Sequence, residues 1–104
     1  MRKSIAIVAA ALMSSAALAG EGNAEAAKDK VTMCKGCHGI PGYRATFPHV
    51  YHVPMIAGQS ATYIAKALEA YKSGERNHPT MRGIALGLSE QDIADLSAYY
   101  GAAK

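Results

Sequence analysis

One short motif, Cys34-Lys35-Gly36-Cys37-His38, limits the folds open to this chain more than any other feature. Its two cysteines are the only ones in the sequence of 104 residues. Because residues i and i+3 of a helix lie on the same side of one turn, both sulfurs can reach the vinyl groups of a single porphyrin. The histidine that follows can then bind the iron. The motif therefore predicts one covalently attached haem c and a fold built around it.

Three other chemistries use paired cysteines. A dithiol redox pair is expected between a strand and a helix, whereas residues 39–59 are rich in Gly and Pro. A structural zinc site needs four ligands, and no second ligand pair accompanies the remaining histidines. A structural disulfide is the simplest alternative in a small exported protein. The histidine directly after Cys37 and an export signal together favour haem attachment over all three.

The export signal is predicted over residues 1–19. The basic start Arg2-Lys3 is followed by an apolar run over residues 5–13 and by the small-residue cleavage site Ala17-Leu18-Ala19. That run is shorter than the roughly 20 apolar residues that a membrane-spanning helix needs. We therefore expect a cleaved secretory signal, a single domain over residues 20–104, and a soluble periplasmic product without a membrane span.

The composition of the predicted mature chain suggests that it needs the haem to fold. A chain near the limit of about 70–80 residues seldom builds a sufficient core alone, and this one has one Phe, six Tyr and no Trp. A buried porphyrin would supply the missing apolar mass, so we expect the haem-free chain to be largely unfolded.

The charge of the predicted mature chain is nearly balanced. Without Arg2 and Lys3, the sequence has 9 basic residues and 8 acidic ones. This balance, with no basic cluster, argues against nucleic acid as a partner.

Hydrophobic periodicity predicts an all-α chain with three main helices and an irregular loop over residues 39–59. The first helix begins at Asn23 and runs into the haem motif. The second is capped by Ser60 and ends at Gly74. The third is capped by Ser89 and ends at Gly101. No segment shows the alternation that is typical of a β-strand.

The second axial ligand has several candidates. Met81 lies 43 residues beyond His38, in a turn-like stretch predicted between the second and third helices. Met55 and His78 remain open as alternatives, the latter giving a bis-histidine site. Met33 precedes the predicted attachment helix and is expected to be unable to reach the far face of the haem. An imidazole opposite a thioether would raise the reduction potential, because the soft sulfur favours ferrous iron.

Five sequence segments together resemble a known family. They are Cys34-Lys35-Gly36-Cys37-His38-Gly39, Pro54-Met55-Ile56-Ala57-Gly58-Gln59, Tyr71-Lys72-Ser73-Gly74-Glu75-Arg76, Met81, and Leu88-Ser89-Glu90-Gln91-Asp92-Ile93-Ala94-Asp95-Leu96-Ser97-Ala98-Tyr99-Tyr100. In this combination the chain resembles a monohaem class I c-type cytochrome, of the small bacterial cytochrome c-four-like branch. The resemblance implies that an N-terminal helix crosses a C-terminal helix at Leu96 and Tyr99. It also implies that Ile56 packs on the porphyrin.

The same resemblance implies a set of ligands. His38 and Met81 would be the axial ligands of the iron, and Cys34 and Cys37 would carry the thioether bonds. The backbone carbonyl of Pro54 would accept a hydrogen bond from His38, which would fix the imidazole tautomer. The loop over residues 39–53 departs from the family pattern, and no family role is assigned to it.

A closed, six-coordinate iron implies electron transfer rather than catalysis. We therefore expect a non-enzymatic, periplasmic single-electron shuttle between a donor protein and an acceptor protein. Two alternatives remain open. The chain could be the haem-carrying subunit of a larger dehydrogenase, such as a flavocytochrome that acts on sulfide. If Met81 dissociated easily, the iron could instead act as a gas sensor or minor peroxidase.

Overall fold

A computed structural model describes residues 21–47 and 49–102. The predicted signal peptide over residues 1–19 lies outside the described residues. Within the described ranges the chain forms five helices and one small antiparallel sheet. The elements are α1 (Ala24–Ala27), α2 (Thr32–His38), β1 (Arg44–Ala45), β2 (Tyr51–His52), α3 (Ala61–Ser73), α4 (Pro79–Leu86) and α5 (Glu90–Ala102).

The predicted helix caps are present. Asn23 caps α1, and its side-chain oxygen accepts hydrogen bonds from two backbone N–H groups. Ser60 caps α3, and Gly74 ends that helix with a left-handed φ of 89°, which glycine adopts without steric cost. At the start of α5, the side chains of Ser89 and Asp92 each accept the other's backbone N–H, at 3.0 and 2.9 Å. This reciprocal pair is a capping box.

Met81 lies in a helix that the sequence analysis did not predict. The stretch from residue 78 was interpreted as a turn because it combines Pro79 and Gly83. In the structure Pro79 opens α4, where its missing N–H is not needed and its fixed φ suits the helix. The structure therefore adds a fourth helix of 8 residues, α4, to the three main helices predicted, and Met81 lies in it.

Three other local predictions were wrong. The first helix does not run unbroken into the haem motif, since residues 28–31 form turns between α1 and α2. Gly101 does not end the last helix, which continues to Ala102. The loop after α2 contains two short strands, in which Arg44 pairs with His52 and Ala45 pairs with Tyr51. Strands of two residues are too short to give an alternating pattern.

The core lies where α5 packs between α1 and α3, and α4 packs on α3. Leu96 on α5 is 1% exposed, and Tyr99 packs at the edge of the same cluster. Ala27 of α1 and Leu96 of α5 belong to one buried cluster, and the crossing at Leu96 and Tyr99 that the family resemblance implies stays a prediction. The buried cluster consists of Ala27, Val31, Ile64, Leu88, Ile93, Leu96 and Tyr100.

A buried carboxylate fastens the start of the described chain to α5. Asp95 accepts hydrogen bonds from the backbone N–H of Asn23, the Nζ of Lys30 and the Nε2 of Gln91, each at 2.8 Å. These contacts, led by the Asn23 N–H, lower the pKa of Asp95 to about 2. The side chain is 3% exposed, so its charge is compensated within the protein.

Across residues 21–47 and 49–102, none of the helices combines the length and the apolar character needed to span a membrane.

Candidate haem site

The haem-attachment motif forms α2, which borders a cavity of about 460 Å³. Cys34 and Cys37 both line this cavity, as residues three apart on one helix can. The start of this helix is anchored by its N-cap residue, Val31, which is 2% exposed and belongs to the buried core cluster. Burial raises the pKa of the Cys34 thiol above its ordinary value, so the unmodified thiol stays protonated near neutral pH.

His38 is oriented by the backbone of the loop that follows β2. Its Nδ1 donates a hydrogen bond to the Pro54 carbonyl oxygen at 2.6 Å. The preceding residue, Val53, is buried and donates its N–H to the Tyr43 carbonyl at 3.0 Å, which fixes this part of the loop. With Nδ1 protonated and bound, Nε2 is the imidazole nitrogen that remains for a metal.

The remaining predicted site residues line the same cavity. Met81 is half-buried on α4, and Pro54 and Ile56 border the cavity from the loop. The structure therefore brings all six predicted site residues, Cys34, Cys37, His38, Pro54, Ile56 and Met81, to one cavity.

The alternative ligands are also near this cavity. Met33 lies within α2 rather than before it, because that helix begins at Thr32. Met33 and Met55 line the cavity and are 56% and 50% exposed. The expectation that Met33 lies outside the attachment helix was therefore wrong. The other alternative, His78, lines the cavity as well, and its side chain caps α4.

Two features of the site were not found from the sequence. Tyr51 on β2 lines the cavity and contacts the His78 ring, although no pattern in its loop indicated such a role. The hydroxyl of Tyr100 is buried beside the Cys34 sulfur and has no hydrogen-bond partner among the residues that the structure describes. Burial raises the pKa of Tyr100 to about 12. Nothing in the sequence placed the Tyr100 hydroxyl next to a cysteine.

The donor groups suit a covalently attached haem. Two cysteines three residues apart can form thioethers, an imidazole offers Nε2, and methionine thioethers also line the cavity. The cavity volume falls within the range of about 300–1,000 Å³ that is typical of cofactor sites. Its remaining lining is largely apolar, including Val53, Ile64 and Leu68. These residues therefore fit a porphyrin.

Comparison with known proteins identifies the family. The family model described as cytochrome c matches residues 24–101, which covers most of the chain. The chain belongs to the cytochrome c family. As a class I c-type cytochrome of the c4-like branch, it carries covalently bound haem c, and Cys34 and Cys37 fit the attachment motif. Electron transfer is the function of this family.

Three known proteins show what this chain is similar to. Cytochrome c-554(548) of Halomonas halodenitrificans is 44% identical over 82 residues, which cover 76% of this chain and 94% of the relative. The crystal structure of reduced recombinant cytochrome c4 from Pseudomonas stutzeri has a TM-score of 0.65 and 35% identity. That match covers 80% of this chain and 46% of the solved one. The cytochrome subunit of sulfide dehydrogenase from Chlorobaculum tepidum is 34% identical over 68 residues, covering 65% of this chain and 57% of the subunit.

Proposed function

We propose that this cytochrome is a periplasmic single-electron shuttle whose haem iron is held by His38 and Met81. The observation that carries the proposal is the single cavity, which is lined by both of these side chains and by Cys34 and Cys37. When bound, the haem supplies one-electron cycling between ferric and ferrous iron. One electron enters from a reduced donor protein and one leaves to an oxidised acceptor protein.

The protein's part is to fix the two axial side chains. The Pro54 carbonyl holds the His38 imidazole in one orientation and increases its basicity as a ligand. Bound to the iron, the thioether of Met81 would be a soft ligand that favours the ferrous state and would raise the reduction potential. If His38 and Met81 both bound the iron, a substrate would have no free position on it, so the chain would not itself be a catalyst.

We propose that residues 1–19 direct export and are removed. The basic start, the short apolar run and the small residues before Gly20 support this cleavage. Mass spectrometry of the protein purified from its source tests the proposal. The expected mass is that of residues 20–104 plus one haem. A mass without the haem adduct would contradict the covalent site, and an uncleaved chain would contradict export with cleavage.

The ligand assignment is tested by optical spectra of the ferric protein. Wild type should show the iron–sulfur charge-transfer band, and Met81→Ala should lose it completely. Met33→Ala and Met55→Ala are matched controls, because both methionines line the same cavity and should leave the band unchanged. Loss of the band in Met55→Ala instead would show that Met55 is the ligand. Absence of the band from wild type would contradict methionine ligation altogether.

A second candidate function is that of a haem-carrying subunit in a larger dehydrogenase. The similarity to the cytochrome subunit of sulfide dehydrogenase from Chlorobaculum tepidum favours it. The two functions differ in the state of the purified protein. A shuttle should be recovered as a free chain after mild purification from its source. Constant co-purification with a larger subunit would favour the second function.

A further inference from the structure

His78 makes a specific contact with the backbone of Met81. It is the N-cap of α4, in an extended conformation with φ −145° and ψ 103°. Its Nδ1 accepts a hydrogen bond from the Met81 N–H at 3.3 Å. The first backbone N–H groups of a helix have no partner within it, so a capping side chain fixes the first turn. Ser, Thr, Asp and Asn are the usual caps, which makes this imidazole an uncommon choice.

Two tyrosines from other elements hold the His78 ring. The ring of Tyr51, on β2, lies 4.9 Å from it at an interplanar angle of 85°. The ring of Tyr71, on α3, lies 6.2 Å away at 78°. Both are edge-to-face arrangements, which aromatic rings favour. The Arg76 guanidinium lies 4.9 Å from the centre of the Tyr71 ring and adds a cation–π contact to this aromatic cluster. The loop, α3 and α4 are therefore joined through one imidazole.

We propose that His78 is a positioning residue that holds Met81 at the haem cavity, rather than an iron ligand in its own right. This inference rests on the proposed role of Met81. Because Nδ1 accepts the Met81 N–H, the proton of the neutral ring is on Nε2. Tyr51 and Tyr71 fix the plane of the ring, and the ring fixes the first turn of α4. The loop over residues 39–53, which departs from the family pattern, thus supports α4 through Tyr51.

The test uses three substitutions in the haem-loaded protein. His78→Asn retains a strong capping oxygen, His78→Ala removes the acceptor, and His78→Leu removes it while keeping more of the side-chain volume. The first readout is the ferric iron–sulfur band. The second is the rate at which carbon monoxide replaces the methionine in the reduced protein. We expect the rate to rise about threefold to tenfold in His78→Ala and His78→Leu, from the usual effect of losing a cap. His78→Asn should remain close to wild type.

Ser60→Ala is the matched control. Ser60 caps α3 through the Tyr63 N–H, also at 3.3 Å and three residues along, but α3 carries no proposed iron ligand. The Ser60→Ala substitution should lower the melting temperature without raising the rate at which carbon monoxide replaces the methionine. Equal rates in wild type, His78→Ala and His78→Leu would overturn the positioning role, as would an equal rise in Ser60→Ala.

The spectra separate failure of this inference from failure of the proposed function. If wild type has the iron–sulfur band and no His78 variant changes the band or the rate, Met81 ligation stands and the inference falls. If wild type lacks the band, and His78→Ala converts the iron to a five-coordinate spectrum while Met81→Ala does not, then His78 is the ligand. That outcome overturns both the positioning role of His78 and the proposed ligation of the iron by Met81.

Discussion

Two regions of this cytochrome bury their apolar side chains in different ways. The helical frame, which is α1, α3 and α5, packs against itself, with Ala27 0% and Leu96 1% exposed. The ligand side, which is residues 43–47, residues 49–58 and α4, leaves several of its large apolar side chains exposed. Phe47, Val50 and Met55 are 86%, 69% and 50% exposed.

The difference shows what each region requires in order to be stable. In the frame, apolar contacts and the buried Asp95 network lie within the protein. On the ligand side, Ile56 and Met81 border the cavity, where a bound porphyrin would supply apolar contacts. The frame is therefore a packed protein core, and the ligand side is the wall of a cofactor site. The predictions below test this contrast.

The largest effect should follow from preventing haem attachment. Cys34→Ala/Cys37→Ala removes both thioether bonds and should leave the exported chain largely unfolded, because a core this small needs the cofactor. The expected result in circular dichroism is a loss of most helical signal and of a cooperative melt. Haem-loaded Met55→Ala is a suitable control, because it alters the cavity wall and keeps both cysteines. Native-like helicity with a cooperative melt in the haem-free chain would show that the frame folds alone.

A second effect should be confined to the frame and should disappear at acid pH. The pKa of Asp95 is lowered from its ordinary value near 3.8 to about 2, first by the Asn23 N–H and then by Lys30. The unfolded chain therefore binds more protons in this range, and stability rises with pH. The contribution is present above about pH 4 and is lost as the pH falls towards 2. The Lys30 hydrogen bond also lowers the pKa of Asp92, which acts in the same direction.

The measurement is the melting temperature of haem-loaded protein from pH 7 to pH 2. Asp95→Asn should melt several degrees below wild type at pH 7, and the gap should close as the pH approaches 2. Glu25→Gln is the control, because Glu25 pairs with Lys28 on an exposed surface where such pairs contribute little. A gap that stayed constant down to pH 2 would mean that the Asp95 charge does not stabilise the frame.

The sequence predicted the frame better than the ligand side, for a physical reason. Helix α3 has a serine cap, an apolar stripe and a terminal glycine, and each of these acts locally. The haem motif is local too, so Cys34, Cys37 and His38 could be identified from spacing. By contrast, α4 begins with Pro79 and depends on a histidine cap, so local rules indicated a turn. The contact between Tyr51 and His78 joins residues 27 positions apart, and no periodic pattern predicts it.

The smallest effect should come from adding one methyl group in each region. A Cβ at Gly101, on α5, would lie 2.8 Å from the Cβ and 3.0 Å from the backbone N of Ala61, at the start of α3. Atoms this close must move apart, and overpacking of this kind costs about 1–3 kcal/mol. Gly101→Ala should therefore lower the free energy of unfolding of the haem-loaded protein by about that amount, measured by urea titration.

Gly83→Ala is the counterpart on the ligand side. Gly83 lies within α4, and a Cβ there would meet no atom within 4 Å. Replacing an exposed helical glycine by alanine removes its excess flexibility in the unfolded chain and should raise stability by about 0.5–1 kcal/mol. The same substitution is thus expected to have opposite signs in the two regions, because α5 has an immediate protein neighbour and this face of α4 has none among the described residues. If both variants were stabilised, the α3–α5 contact would be looser than the structure indicates. If both were destabilised, space beside α4 would be restricted by the bound haem, and the ligand side would be as tightly packed as the frame in the loaded protein.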